Sequence, residues 1–219
     1  MMKTAPVEIR RAPAGCAERV LTDGDRPLLA LRARWPRLEE TAPGLRRINR
    51  YYDALADRWV RRWEGPLLAR ARETLEPGAP PWRASLDFRI TLLENGRLSL
   101  WLDTEEDIGE RRPRRVRQGD TWEVPAGFPL SLRELLPRRR WWRGEAVAQV
   151  RRQIGERLQE GESAFYPDWL TLASRRFSPR RFYLTPEGVW VFYPPETIAP
   201  ALEGFPAFCL GPLPGGDKN

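Results

Sequence analysis

Histidine is absent from all 219 residues. Its absence excludes Ser-His-Asp and Cys-His nucleophile pairs, the usual general base near neutral pH, and every metal site built on imidazole. Cysteine is nearly absent too, with only Cys16 and Cys209, far apart in the chain. That rules out a dense disulfide framework and any Cys-x-x-Cys metal spacing. Cys209, between Phe208 and Leu210, reads as a small buried hydrophobe rather than half of a bridge. No apolar run approaches the roughly 18 to 20 residues that span a bilayer. Residues 1–8 lack the apolar core of a secretion signal, so the expected location is the cytoplasm, without a membrane segment.

Lysine occurs only at Lys3 and Lys218, and the other basic residues are arginine. The balance of 37 bases against 30 acids gives a net charge of +7, which raises nucleic acid as a partner. The acids are interleaved with the bases, however, and an arginine-rich coding bias accounts for the excess. Strong nucleic-acid binding is therefore not expected. With 41% hydrophobic and 11% aromatic residues the chain can bury a substantial core, as one large domain or two fused lobes. Carboxylate pairs could still perform acid and base work. No spacing among the acids singles out such a pair, so no catalytic, cofactor or metal residue is assigned and the protein is read as a non-enzyme.

Along the chain, residues 7–13 and 28–35 read as short strands around the turn formers Thr22, Asp23, Gly24 and Asp25. Thr41 is a candidate N-cap, with Pro43 in the first turn of the helix that follows. Apolar residues Leu45, Ile48, Tyr52, Leu55, Trp59 and Trp63 then recur at steps of three and four, which predicts a helix with one buried stripe. Gly65-Pro66 should kink or break it, and a second helical piece follows over 67–75.

Strict alternation at Ala84, Leu86, Phe88, Ile90 and Leu92, then Asn95-Gly96, then Leu98, Leu100 and Leu102 predicts a β-hairpin. A three-residue loop with a left-handed Gly96 pairs Leu92 with Leu98, Ile90 with Leu100 and Phe88 with Leu102. A two-residue loop would set Leu92 opposite Ser99, so the longer loop is expected. Residues 103–118 are almost wholly charged and read as a solvated loop or hairpin tip.

A strand pair about residues 119–132 leads to a short helix over 133–136. A longer helix over 142–161 places Val147, Val150, Ile154 and Leu158 on one face, and a third covers 168–177. The run Arg138-Arg139-Arg140-Trp141-Trp142-Arg143 mixes cations with aromatics, as single-strand nucleic-acid platforms do, but more often marks a helix start anchored by tryptophan. Residues 182–184, 189–193 and 207–210 read as strands, the first two covered on both faces. The expected fold class is α+β, a twisted antiparallel sheet of hairpins with two long helices packed on it. The lobes are an N-terminal strand-helix-hairpin unit over 1–116 and a C-terminal unit over 117–213, forming one compact body, with a tail over 214–219.

The segment Gly119-Asp120-Thr121-Trp122, then Gly127, then Leu130-Ser131-Leu132-Arg133-Glu134-Leu135-Leu136, begins a motif series. The long helix, Phe182-Tyr183-Leu184-Thr185-Pro186-Glu187-Gly188, Ile198-Ala199-Pro200 and Gly204-Phe205-Pro206-Ala207-Phe208 complete it. In this order the motifs resemble the RsiV-type domain of unknown function, the C-terminal domain family of a membrane-anchored anti-sigma factor and lysozyme receptor. The resemblance covers about residues 117–213. It implies a non-enzymatic binding module for a protein or cell-envelope-type ligand, with no cofactor, and the partner left unidentified. Binding residues implied on the loop are Glu196, Ile198, Pro200, Glu203 and Phe205. The chain departs from the family where a His-containing segment usually precedes Trp122, and in the aromatics that usually flank Ile198 to Pro200. High-affinity lysozyme binding is therefore not expected. The alternative reading is weak, non-specific nucleic-acid binding through the Arg and Trp clusters.

Overall fold

The computed structural model describes residues 10–137, 140–161 and 164–213. Strand β1 (Gly15–Asp23) turns at Gly24, φ +57°, into β2 (Arg26–Trp35). Over its described part, residues 10–13, the strand expected over 7–13 does not form. Residues 7–9 lie outside the described residues, and Arg11 makes only an isolated bridge to Leu38. The partner of β2 is instead the charged, largely exposed segment 15–23. A sheet edge needs no regular apolar alternation, so the periodicity test passes over it.

Helix α1 (Pro43–Arg62) buries Leu45, Ile48, Tyr52 and Ala56 against the sheet, with Pro43 in its first turn as expected. Its N-cap is Ala42 rather than Thr41. At Gly65-Pro66 the helix neither stops nor breaks. It widens into a π turn over Trp63–Leu67 that tolerates the missing Pro66 amide, and continues as α2 (Leu68–Thr74). This helical crossover returns the chain so that β3 (Trp82–Glu94) runs parallel to β2. The sheet is thus not wholly antiparallel, because only a long crossover can join parallel neighbours.

Between β3 and β4 (Arg97–Asp107) the loop has two residues, not three: Asn95 and Gly96 have φ +51° and +70°, as a type I′ hairpin turn requires. Leu92 accordingly faces Ser99, against the expected register. A bulge at Thr91 then restores the pairs Ile90 with Leu100 and Phe88 with Leu102. Leu93 and Ile90 pack against the helix-side core that holds Leu100, while Leu92 joins the second core on the other side of the sheet.

The charged stretch is mostly strand. Strand β5 (Arg114–Glu123) pairs with β4 so that Glu105 meets Arg115 at 2.9 Å and Asp103 meets Arg117 at 2.7 Å. Opposite charges facing across a ladder stabilise strands that lack apolar alternation, and only the tip between them is a loop. Strand β5 runs through positions 116 and 117, where the lobe division was placed. Strand β6 (Phe128–Pro129) adds two residues and completes the order β1-β2-β3-β4-β5-β6.

After α3 (Leu132–Leu135), whose Glu134 carboxylate accepts bonds from the Ser131 amide and hydroxyl, comes α4 (Trp142–Glu160). It closes on a left-handed Gly161 and buries Val147, Val150 and Ile154, whereas Leu158 stands 39% exposed at the end of the stripe. Helix α5 (Trp169–Arg175) precedes an antiparallel sheet of β7 (Phe182–Thr185), β8 (Gly188–Phe192) and β9 (Ala207–Gly211). Gln153 of α4 donates to the Cys209 carbonyl and accepts from its amide, closing the outer edge of β9.

The sheets meet closely. A Cβ on Gly119 would lie 2.1 Å from the Phe182 carbonyl oxygen, so β7 can approach β5 only over glycine. The Leu184 amide donates to the buried Ser99 hydroxyl at 2.8 Å, and Ser99 meets Thr121 at 2.9 Å.

Candidate functional site

Strand β5 alternates. Gln118, Asp120 and Trp122 sit opposite Leu102, Leu100 and Leu98 of the helix-side core, while Gly119 and Thr121 turn toward β7. Because β6 pairs only with Trp122 and Glu123, the rest of β5 has no strand neighbour on its outer side among the described residues. A cleft of about 580 Å³ opens there. Its walls include Tyr51 of α1, Trp122, Leu130 and Phe182, with Arg180 at the rim.

The polar centre is Asp120. Trp122 Nε1–H donates to the Tyr52 hydroxyl oxygen at 2.7 Å, and an indole can only donate. The phenolic hydrogen therefore goes to Asp120 Oδ2, 3.1 Å away. Gln118 Nε2 lies 3.0 and 3.1 Å from the two carboxylate oxygens and 3.0 Å from the Tyr51 hydroxyl. With one amide hydrogen spent on each neighbour, the Tyr51 oxygen accepts and its own hydrogen remains available to the cleft.

Burial pushes the Asp120 carboxyl above its ordinary range, against the opposing pull of the Gln118 and Tyr52 hydrogen bonds. Burial, followed by the Asp120 charge, pushes the Tyr52 phenol well up and the Tyr51 phenol up. Both tyrosines are thus neutral hydroxyls in the physiological range. No cation pairs with Asp120 among the described residues, and the guanidinium of exposed Arg180 has no hydrogen bond or ion pair there. Shifted carboxyls in clefts concentrate at functional sites.

The loop that carried the binding expectation is spent largely on the fold. Ile198 is fully buried and its carbonyl accepts from the Tyr166 amide. Glu196 pairs with Arg112 at 2.7 Å, and Glu203 accepts from the Ala164 amide at 2.8 Å. Pro200 is half-buried at the start of a 3₁₀ turn, Ala201–Glu203, whose Leu202 is 97% exposed. Phe205 packs edge-on to Phe192, with Arg117 over its ring at 4.4 Å. In the arginine and tryptophan run, Arg138 and Arg139 lie outside the described residues. Trp142 packs against the core and Trp141 is 72% exposed, with Arg140 above it.

In the sequence Asp120 stands in the segment Gly119 to Trp122, where nothing local by itself marks it as a binding group. The usable signal was a polar, polar, aromatic row, Gln118, Asp120 and Trp122, on one face of a strand. The decisive part, α1 bringing Tyr51 and Tyr52 to that row, is a tertiary pairing that no local pattern shows.

No protein-family model and no curated protein matches the sequence. Solved structures do match. A DUF3298 family protein from Pseudomonas aeruginosa PAO1 is 17% identical with a TM-score of 0.59, covering 94% of this chain and 91% of its own. A DUF3298 family member from Bacteroides fragilis is 13% identical with a TM-score of 0.65, covering 93% of this chain and 90% of its own. The likeness at these identities is one of fold.

Proposed function

We propose that the protein is a non-enzymatic binding module of RsiV-like type whose ligand seats in the Asp120 cleft. The observation that carries this reading is a carboxylate held in a cleft by neutral partners alone, Tyr52 and Gln118, with an unspent Tyr51 hydroxyl beside it. The cleft's volume suits a ligand of small-molecule or side-chain size. The motif order from Gly119 to Phe208, together with a fold like that of DUF3298 proteins, supports the RsiV-like assignment. Fold alone does not carry function, so the ligand is argued from the cleft.

Nucleic acid is the weaker reading. Within the charged stretch 103–118, Arg112, Arg115 and Arg117 are paired with Glu196, Glu105 and Asp103, which weakens it as a counterion-releasing surface. Cys16 and Cys209 are both free thiols, which suits a reducing compartment. Among the described residues no helix is long and apolar enough to cross a membrane.

The test is a fragment screen read by ¹⁵N NMR, with the Trp122 indole N–H as reporter because it ends the Asp120 network. Binders are expected to move the Trp122 indole more than the other indoles and to be recovered unchanged after long incubation. Binders that leave Trp122 unmoved, or that are converted to product, would overturn the reading.

A further inference from the structure

The geometry points to an organic cation, an ammonium or guanidinium group on a body with an apolar face, as the ligand of the Asp120 cleft. This rests on reading that cleft as the binding site. Asp120 receives hydrogen bonds only from a phenol and an amide, so its charge is solvated but not neutralised by its partners. An anionic ligand would meet that charge directly, and a neutral one would strip its water without replacing it. A cation removes both costs. The walls agree: Tyr51, Trp122 and Phe182 all line the cleft, Tyr51 and Trp122 meeting edge to face with centroids 5.1 Å apart. Aromatic faces attract cations.

The protein already contains an internal example of this recognition. Arg117 is held 4.2 Å from the Trp101 centroid and 4.4 Å from that of Phe205, while the Asp103 carboxylate binds its guanidinium through two bonds of 2.7 Å. The Asp120 cleft has the carboxylate and the aromatic walls of such a site without the cation. Arg180 at the rim works against a cationic ligand unless it turns to solvent, which makes it the natural gate on affinity.

Two probe pairs on the full chain test this, each read at the Trp122 indole: phenethylammonium against 2-phenylethanol, and an acetylated, amidated Gly-Lys-Gly peptide against its Nε-acetyl form. The charged member of at least one pair is expected to bind about tenfold or more tightly than its neutral partner, since charge-assisted bonds exceed neutral ones. The stronger pair tells a free amine from a lysine side chain. Asp120→Asn, checked for an unchanged spectrum away from the cleft, should erase the preference, and Arg180→Ala should strengthen cation binding about threefold. Neutral probes binding as well as charged ones on wild-type protein, or a preference that survives Asp120→Asn, overturns the cation assignment and leaves the cleft standing. Cation binding that bypasses Trp122 overturns both. Failure of all four probes at about 10 mM, a concentration at which even very weak complexes form, also overturns the cation assignment.

Discussion

Replacing Tyr52 by Phe removes one oxygen atom and with it two hydrogen bonds, while the ring stays packed in the core. The Trp122 indole, 6% exposed, loses its acceptor, and Asp120 loses a donor. A buried N–H left unpaired costs about 1–3 kcal/mol, and a bond to a charged group is worth about 1.5–3 kcal/mol. Because Asp120 lines the open cleft, solvent there offsets part of the second loss, and the expected destabilisation is about 2–4 kcal/mol near neutral pH. The sign of the pH dependence follows from Asp120. Unfolded, its carboxyl titrates near the ordinary 3.8, and folded it titrates higher. Between those two values the native state holds more protons than the unfolded state, so this group's contribution to stability falls as pH rises, and its penalty is complete above the folded pKa. Losing the Tyr52 bond raises the folded pKa further. The difference between variant and wild type should therefore narrow as pH falls through the window above 3.8. Urea unfolding followed by circular dichroism at about pH 7 and about pH 5 measures it. A difference below about 1 kcal/mol near neutrality, or one that widens in acid, refutes the network as described.

Gly44→Ala would place a Cβ 2.0 Å from the Val124 carbonyl oxygen and should cost about 3 kcal/mol or more in denaturant unfolding. Gly155→Ala, in open space within α4, should instead stabilise by about 0.5–1 kcal/mol in the same assay. Deleting Thr91 removes the bulge yet leaves Ile90, Leu92 and Leu93 on their present faces, so the variant should fold within about 1 kcal/mol of wild type, with NMR contacts still joining Leu92 to Ser99. Trp63→Ala should cost about 3–5 kcal/mol because Trp63 is wholly buried, and the half-buried Trp59 should cost clearly less on thermal unfolding.

What was legible in the sequence follows from what periodicity can report. The α1 stripe from Leu45 to Tyr52, the alternation from Leu86 to Ile90 and the β-rich end around Phe182 and Val189 are each a local hydrophobic pattern, and each stands where it was read. Edge strand β1 and the charged ends of β4 and β5 escaped because their stability comes from a neighbour, through pairs such as Glu105 with Arg115, and not from their own alternation. The hairpin register failed for a more specific reason. Matching apolar rows across the strands demanded an extra residue, and it was assigned to the turn at Gly96 when the structure places it at Thr91. The parallel contact of β2 with β3 and the Tyr52–Asp120–Trp122 network depend on where a helical crossover lands, which no window of sequence contains.

The claim that the Asp120 cleft is the ligand site is tested most directly by a crystal structure of the protein soaked with the strongest NMR-detected binder. The account predicts ligand density between Tyr51, Asp120 and Phe182, with a hydrogen-bonding group of the ligand on Asp120. Density seated elsewhere, such as against exposed Leu202 on the 3₁₀ turn, with the cleft unchanged, would contradict it.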